Sequence, residues 1–456
     1  MSQEFKKIHF IAIGGSVMHN LAIALKNNGI VITGSDDHFY EPSLSNLKQH
    51  NILPEQEGWF AEKITTALDA VVVGMHAKEN NSELIKAQEL GLKIYSFPEF
   101  ILEQSQNKQR VVIGGSHGKT TITSMIMHVL KENNKEFDYL VGAQLNGFDT
   151  MVQLSDAPVI VIEGDEYLTS PLDLTPKFLK YKHHTALISG ISWDHANIFP
   201  TMEDYVKPFE SFIQATPKSG SIIYNADDSM TTAICESYED KDIKKFGYSY
   251  PRSEIRNEQT FIFDEEGKAV PLKIFGQHNL ANLSAAKTVC NRLGITDKMF
   301  YSTMQSFVGA GKRLELMGEK NGVKVFKDFA HAPSKLAASI NAVKEQYASK
   351  EVVALYELHT FSSFNDEFLS QYKDAFQDAN QAILLLDDNV LASKGNVTMT
   401  DDVLKGKFNA PNASVIHNQE EFVSTLKSID WNNKVLLVMS SGGLTGLSFD
   451  DIIKII

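Results

Sequence analysis

The chain has 456 residues, about three times the ~150 that make one domain, so two or three domains are expected. With 43% hydrophobic and 22% charged residues, 28 Gly, 13 Pro and two cysteines (Cys235 and Cys290), the composition is globular and excludes a disordered, collagenous, coiled-coil or disulfide-framed protein. A formal net charge of −14 argues against a nucleic-acid partner, and no apolar run nears the ~18 residues of a membrane span.

MSQEFKKIHF carries no apolar signal segment, so the expected setting is the cytoplasm, with no membrane partner. An anionic substrate on such a chain needs local cations, and metal ions, to offset the background field.

The first block, 1–107, opens on KIHFIAIGG (7–15), which reads as a buried strand. A helix follows, with apolar positions Val17, Leu21, Ala24 and Leu25. IVITGSD (30–36), DAVVVG (69–74) and LKIYSF (92–97) read as further strands with helices between, the alternation of a small parallel sheet. EQSQNKQR (103–110) reads as a linker. The second block, 108–312, opens on RVVIGGSHGKTT (110–121), a strand, a Gly-rich turn and a helix. VIVIEGD (159–165), TALISG (185–190) and SIIYN (221–225) continue the strands, and FIFDEEGKAVPLKIFG (261–276) has the period of a hairpin insertion. The third block, 313–456, has strands VKVFKDFA (323–330), EVVALYEL (351–358), AILLLDD (382–388) and KVLLVMSSGG (434–443). Three α/β blocks in series is the expected architecture.

Gly114-Gly115-Ser116-His117-Gly118-Lys119-Thr120-Thr121 falls between a strand and a helix, where backbone N–H groups and the helix dipole hold phosphate. Lys119 brings a mobile positive charge to the β- and γ-phosphates, and the Thr120 hydroxyl is a Mg²⁺ ligand. The strict Walker pattern asks for Gly where Ile113 stands, so the loop is a variant. Glu163-Gly164-Asp165-Glu166 ends a strand near this loop, the natural second source of Mg²⁺ ligands, a solvated acidic turn being the alternative. Trp193-Asp194-His195 follows the next strand; His195 suits a second metal or a phosphoryl group, or is an ordinary surface turn.

Gly14-Gly15-Ser16 also follows a strand, but the dinucleotide fingerprint would need glycines where Ala12 and Val17 stand. Ser35 and Asp36 keep a ribose or uracil site open. His278 and Asn279 open a helix, where they read an adenine edge or cap the helix. Arg313 lies at a block junction and suits phosphate; Asp328 and His331 end a strand, with Asp328 alternatively a helix cap.

Together these segments resemble the Mur ligase family, the ATP-dependent enzymes that build the peptide stem of peptidoglycan, over essentially the whole chain. GSHGKTT resembles the ATP loop, EGDE the magnesium segment, WDH the metal-histidine segment and GQHNLAN the adenine segment. KRLE, DFAH-P and VMSSGG resemble the linker and C-terminal signatures. The resemblance implies three domains: a Rossmann-like N-terminal domain binding UDP-N-acetylmuramate, a central P-loop ATPase-like domain with a parallel sheet, and a Rossmann-like C-terminal domain binding the amine or peptide. It implies ATP and Mg²⁺ as cofactors, and an ADP-forming reaction in which the sugar's carboxylate takes the γ-phosphoryl group and the acyl phosphate is then attacked by an amine.

By the same resemblance Lys119, His195, Arg313 and His331 are catalytic, and Thr120, Glu163 and His195 hold metal. Gly115, Ser116, His117, Gly118, Lys119, Thr120, Thr121, His278, Asn279, Arg313 and Asp328 bind the nucleotide. Gly14, Gly15, Ser16, Ser35, Asp36, His76 and His359 bind the substrates. Later-acting members carry a carbamylated lysine where Phe209 falls here, and Phe209 is expected to pack. IHFIAIGG and TGSDDHFYEP resemble the branch that takes UDP-N-acetylmuramate. DEYLTSPLDLTPKFLKYKHHTALISGISWDHANIFPT is similar to the muropeptide-recycling members, which add L-alanyl-γ-D-glutamyl-meso-diaminopimelate. That tripeptide is the expected amine, free L-alanine the alternative, and a nucleotide-dependent binding module without ligase activity the other class. YELHTFSS (356–363) fits neither usual pattern, which leaves His359 or another cation to meet the amine substrate's carboxylates. A monomer or homodimer is expected.

Overall fold

The structure, a computed structural model, describes residues 5–75, 77–170, 173–193, 198–311, 313–364, 366–393 and 399–456. The chain divides into two compact units, Met1–Tyr250 with Ala281–Thr303, and Pro251–Leu280 with Met304–Ile456. Both are built on parallel-rich sheets covered by helices. Lys312, the expected end of the second block, lies outside the described residues.

The first unit begins with strands β1 (Lys7–Ile11), β2 (Val31–Ser35), β3 (Ala70–Val73) and β4 (Ile94–Ser96), all parallel, in the order β2-β1-β3-β4. β1 and β3 are buried along nearly their whole length because both faces are covered, and in β3 this goes with an unbroken apolar run. Ile8 and Phe10 pack with Leu21 and Leu25 of the helix Ser16–Asn27. Ile11, Val71 and Val73 pack with Leu84 and Ala87 of the helix Ser82–Glu89.

Among the described residues nine further strands follow in this unit: β5 (Gln109–Gly114), β6 (Asp138–Leu140), β7 (Val152–Gln153), β8 (Val159–Glu163), β9 (Leu168–Ser170), β10 (Asp173–Pro176), β11 (Thr185–Ile188), β12 (Ser221–Asn225) and β13 (Lys244–Tyr248). Seven make one sheet in the order β13-β12-β11-β5-β8-β6-β7, parallel but for β7, and β9 pairs with β10 alone. β5 is flanked by β8 and β11, so the strand order reverses there. In an open α/β sheet the crevice at such a reversal, beyond the carboxyl ends of the strands, is where ligands bind.

The polar run 103–110 is packed rather than a loose linker. Lys108 Nζ donates to the carbonyls of Ser155 (2.6 Å) and Ala157 (2.8 Å) and pairs with buried Asp138 at 2.9 Å. Arg110 Nε donates to Lys182 O at 2.9 Å, and its Nη1 to Ser105 O at 2.6 Å.

The second unit holds β14 (Ser253–Arg256), β15 (Gln259–Phe263) and β16 (Ala269–Leu272), an antiparallel sheet with one strand more than the expected hairpin. It groups with the C-terminal unit, to which Thr260 Oγ1 is tied by Gln346 Oε1 at 2.7 Å and Glu258 by Lys324 at 2.7 Å. Strands β17 (Glu315–Lys320), β18 (Val323–Asp328), β19 (Glu351–Glu357), β20 (Gln381–Leu385), β21 (Ser414–Ile416) and β22 (Lys434–Met439) form a sheet in the order β17-β18-β22-β19-β20-β21, with only β17 antiparallel. The sequence reading misses β6, β7, β9, β10, β13, β14, β17 and β21, which are short or lie at sheet edges with mixed polar patterns. No helix among the described residues is long and apolar enough to cross a membrane.

Replacing Lys108 by Met should strand the buried Asp138 carboxylate without its cation, a loss of about 3 kcal/mol. Urea unfolding of the variant measures it; an unchanged midpoint would show that the Ser155 N–H and hydroxyl, which donate to the Asp138 carboxylate at 3.1 and 2.6 Å, suffice.

Candidate active site

The turn after β5 is shaped by two close approaches. Gly118 caps the helix Lys119–Glu132 with φ 76°, and a Cβ there would stand 2.3 Å from Asn282 Oδ1. Gly115 has φ 125°, and a Cβ would stand 2.2 Å from Ser189 Oγ. Only glycine meets both conditions. Ile113, the departure from the general motif, is fully buried in β5. Ser189 Oγ also donates to the His117 carbonyl. Thr121 is buried, and its carbonyl accepts from Ser124 Oγ at 2.8 Å.

Lys119 Nζ donates to Gly115 O at 2.6 Å and to Glu166 Oε2 at 2.7 Å. Burial opposes its charge, but Glu166, then Asp165 and Glu163, outweigh that and hold the ammonium above its ordinary value. Thr120 Oγ1 donates to Glu163 Oε1 at 2.8 Å, and Gly142 N–H to Glu163 Oε2 at 2.8 Å. Burial still leaves the Glu163 carboxyl above the usual carboxylate range. Burial would raise Asp165 too, but Lys177 at 2.7 Å, and then Lys119, hold it below its ordinary value. A hydroxyl and a half-buried carboxylate in contact are hard oxygen donors. They fit Mg²⁺, which keeps most of its water and takes only one or two protein ligands beside phosphate. Among the described residues no group of three or more His, Cys, Asp and Glu stands ready to hold a metal by itself.

His195, Asp194 and His76 lie outside the described residues. Phe209 is fully buried, its ring 5.5 Å from those of Phe178 and Tyr205. Tyr205 is a residue the sequence reading missed. Its hydroxyl donates to Glu166 Oε1 at 3.0 Å and lies 2.8 Å from Ser116 Oγ.

Near the N-terminus, parallel pairing of β1 with β2 brings the predicted glycines and acid into one corner. Gly15 caps the helix Ser16–Asn27, and Gly14 N–H donates to Asp36 Oδ2 at 2.7 Å. Burial pushes Asp36 up to about 6 against the lowering effect of the Gly14 N–H. Ser16 Oγ lies 3.9 Å from Met151 Sδ. Ser35 is fully buried beside Lys63 Nζ at 3.3 Å. Beneath it lies a missed buried pair, His9 Nε2 and Glu83 Oε2 at 3.2 Å. Glu83 is one polar position among several in the helix Ser82–Glu89, and nothing local in the sequence marks it.

The remaining predicted residues lie in the second unit. Asp328 Oδ1 accepts from Ala330 N at 2.7 Å and Oδ2 from Leu314 N at 2.8 Å, so it braces the chain next to Arg313 rather than capping a helix, whose cap is Ala332. The Arg313 guanidinium lies over the Phe329 ring at 5.3 Å. Burial pushes His278 below its ordinary value, which leaves it neutral, and Asn279 Nδ2 donates to Phe275 O at 2.9 Å. His331 Nδ1 donates to Phe329 O at 3.0 Å; its own carbonyl accepts from the hydroxyls of Tyr356 (3.0 Å) and Tyr372 (2.5 Å).

His359 follows β19, beside the loop that leaves β22. Glu357, which the sequence reading did not single out, is buried there; it accepts from Leu444 N at 3.1 Å and from Ser440 Oγ. A Cβ at Gly442 would stand 2.6 Å from His359 Nδ1 and 2.7 Å from Glu357 Oε1. His359 Nδ1 and Ser441 Oγ are buried without hydrogen-bond partners. Two orphaned polar atoms at the carboxyl edge of a parallel sheet suit a polar ligand.

Comparison with known proteins gives three family matches: "Mur ligase family, catalytic domain" over residues 7–109, "Mur ligase middle domain" over 113–290, and "Mur ligase, glutamate ligase domain" over 312–442. The chain is 30% identical to a UDP-N-acetylmuramate–L-alanine ligase of Clostridium kluyveri, over 83% of each chain. It is also 30% identical to a UDP-N-acetylmuramate–L-alanyl-gamma-D-glutamyl-meso-2,6-diaminoheptandioate ligase of Haemophilus influenzae, over 75% of this chain and 77% of that one. Its fold is that of a UDP-N-acetylmuramate–alanine ligase of Thermotoga maritima, with TM-score 0.70 and 20% identity over 99% of both chains.

If Thr120 and Glu163 hold Mg²⁺, replacing Glu163 by Ala should raise the Mg²⁺ concentration for half-maximal ATP turnover, because one of those two oxygen donors is lost; an unchanged magnesium titration would place the metal elsewhere. Asp36, with its pKa near 6, is protonated below that pH and a better acceptor above it. The KM of a substrate donor that it binds should therefore fall as pH rises from 5 to 7, and Asp36→Asn should flatten that step. The same step in the variant would assign it to another group.

Proposed function

The chain belongs to the Mur ligase family of ATP-dependent, ADP-forming amide ligases, and from that premise we propose that it joins UDP-N-acetylmuramate to L-alanyl-γ-D-glutamyl-meso-diaminopimelate, in the cytoplasm. The observation that carries the choice of tripeptide is the segment between Glu163 and β11, which resembles the recycling ligases. It is folded as the β9–β10 pair and a short helix, Lys177–Lys180, anchored by Lys177 to Asp165 and by Lys180 to Glu99 and Asp173. A tripeptide with several carboxylates also offers more binding energy for orienting its amine than free alanine does. L-Alanine addition is the second reading, favoured by relatives of that name at the same 30% identity.

The division of labour we assign follows the three blocks: the UDP-sugar on 1–107, ATP on 108–312 and the amine on 313–456. A carboxylate is a poor acylating group at neutral pH, and a phosphoryl group from ATP supplies the leaving group. Lys119 would hold the phosphoryl oxygens as negative charge builds on them. Thr120 and Glu163 would hold Mg²⁺, which neutralises phosphate charge when bound. Asp36, oriented by the Gly14 N–H, would meet the UDP-sugar, while Ser35, fully buried beside Lys63, would support that corner from within rather than touch the ligand. Arg313, His278 and Asn279 would meet the nucleotide; Asp328 would keep the chain at Arg313 in place. His331, with Nδ1 donating to Phe329 O, would present Nε2 toward the amine. His359 would take a carboxylate of the peptide.

With UDP-N-acetylmuramate and ATP fixed, phosphate release should show a higher kcat/KM for the tripeptide than for L-alanine. A tenfold advantage to alanine (about 1.4 kcal/mol) would move the chain to the alanine-adding enzymes.

A further inference from the structure

Lys119 is held from behind by a directed chain of hydrogen bonds that includes three side chains. Ser192 N–H donates to Ser116 Oγ at 2.8 Å. Ser116 Oγ lies 2.8 Å from Tyr205 OH, and Tyr205 OH lies 3.0 Å from Glu166 Oε1. Glu166 Oε2 receives Lys119 Nζ at 2.7 Å. The direction of every bond follows from the ends. A carboxylate only accepts, so the Tyr205 proton points to Glu166. A main-chain N–H only donates, so the Ser116 oxygen accepts from Ser192, and the Ser116 proton goes to Tyr205. All donors therefore converge on Glu166, in a site where Tyr205 is fully buried and Glu166 and Ser116 are 1% and 4% exposed. Chains aligned in this way strengthen one another at low dielectric.

The Tyr205 ring is fixed independently of its hydroxyl. Its centroid lies 5.3 Å from that of Phe199 and 5.5 Å from that of Phe209, both near edge-on. The helix Met202–Gln214, which carries Tyr205, thus sets one hydroxyl at the meeting point of the phosphate loop (Ser116), the acidic turn after β8 (Glu166) and the segment after β11 (Ser192). We propose that Tyr205 is a positioning residue for ATP: through Glu166 it fixes the Lys119 ammonium over the loop, so that phosphate meets a pre-oriented cation. The proposal rests on the phosphate-loop reading above.

Tyr205→Phe keeps the ring and removes the hydroxyl. Loss of a buried bond to a charged group should weaken ATP binding roughly tenfold or more, seen both as a higher KM for ATP and by calorimetric titration with Mg²⁺ and ATP. The KM for UDP-N-acetylmuramate should stay where it is. A parallel rise of both KM values would mean general loosening and overturn the proposal, as would an ATP affinity within twofold of the parent protein. Because Tyr205 is argued to act through Lys119, the decisive arm is Tyr205→Phe in the Lys119→Ala background. There it should cost no further ATP affinity, and an undiminished tenfold loss would overturn the proposal. Should Tyr205→Phe fail to fold, Ser116→Ala interrupts the chain one link further out and takes its place in the same cycle, where the same loss or lack of loss decides the proposal. Lys119→Ala alone should lower turnover on the order of 100-fold; near-parental turnover there would instead break the phosphate-loop reading.

Discussion

An ammonium drawn into the protein at the start of a helix has to be compensated by a nearby negative charge. Lys119 meets that need through Glu166 at 2.7 Å, and much of the central site follows from this pair. Three acids close in sequence, Glu163, Asp165 and Glu166, have distinct surroundings. Asp165 is held below its ordinary value by Lys177, Glu163 is raised by burial, and Glu166 holds Lys119 and Tyr205. With −14 net charge over the chain, an anionic nucleotide has few favourable places to settle. On the function proposed above, the loop would supply local positive potential from main-chain N–H groups and one lysine, and Glu163, raised by burial, would gain from a divalent cation.

The other corners apply the same physics without a lysine. Asp36 accepts Gly14 N–H, Asp328 accepts the N–H groups of Leu314 and Ala330, and Glu357 accepts Leu444 N–H and the Ser440 hydroxyl. Each lies at or just beyond the carboxyl end of a parallel strand, β2, β18 and β19 respectively. Chains leaving such strands turn back over the sheet edge and present main-chain donors there, and a carboxylate both satisfies those donors and fixes the turn. Asp328 shows the consequence for assigning roles from sequence. Its side chain is committed to the main chain, so what it fixes is the path of the chain next to Arg313.

Histidines and tyrosines divide along similar lines. His278 is kept neutral by burial, and His331 is oriented through Phe329 O while two tyrosine hydroxyls fasten its carbonyl. His359 keeps a buried Nδ1 without a partner beside Gly442, where no Cβ fits. The first two are parts of a settled framework; the third has capacity left for a ligand.

The long buried strands, the Gly-rich turn after β5 and the order of the family's segments are legible in the chain alone. Near-continuous apolar runs such as VVVG and EVVALYEL and a Gly-rich turn before an amphipathic helix are local patterns, and local patterns are what a sequence displays. Only the tertiary structure decided what those segments touch. The polar run at 103–110 became a packed connection because Lys108 and Arg110 found carbonyls and a carboxylate contributed by distant segments. The antiparallel strands at 253–272 joined the C-terminal unit through pairings such as Thr260 with Gln346, 86 positions apart. Tyr205 reads in the sequence as one aromatic position on an amphipathic helix. Its hydroxyl gains meaning only when the fold sets it between Ser116 and Glu166, 89 and 39 positions away. Hydrogen-bond partners at such separations leave no periodic trace, because which groups meet is set by packing of whole elements and not by spacing along the chain.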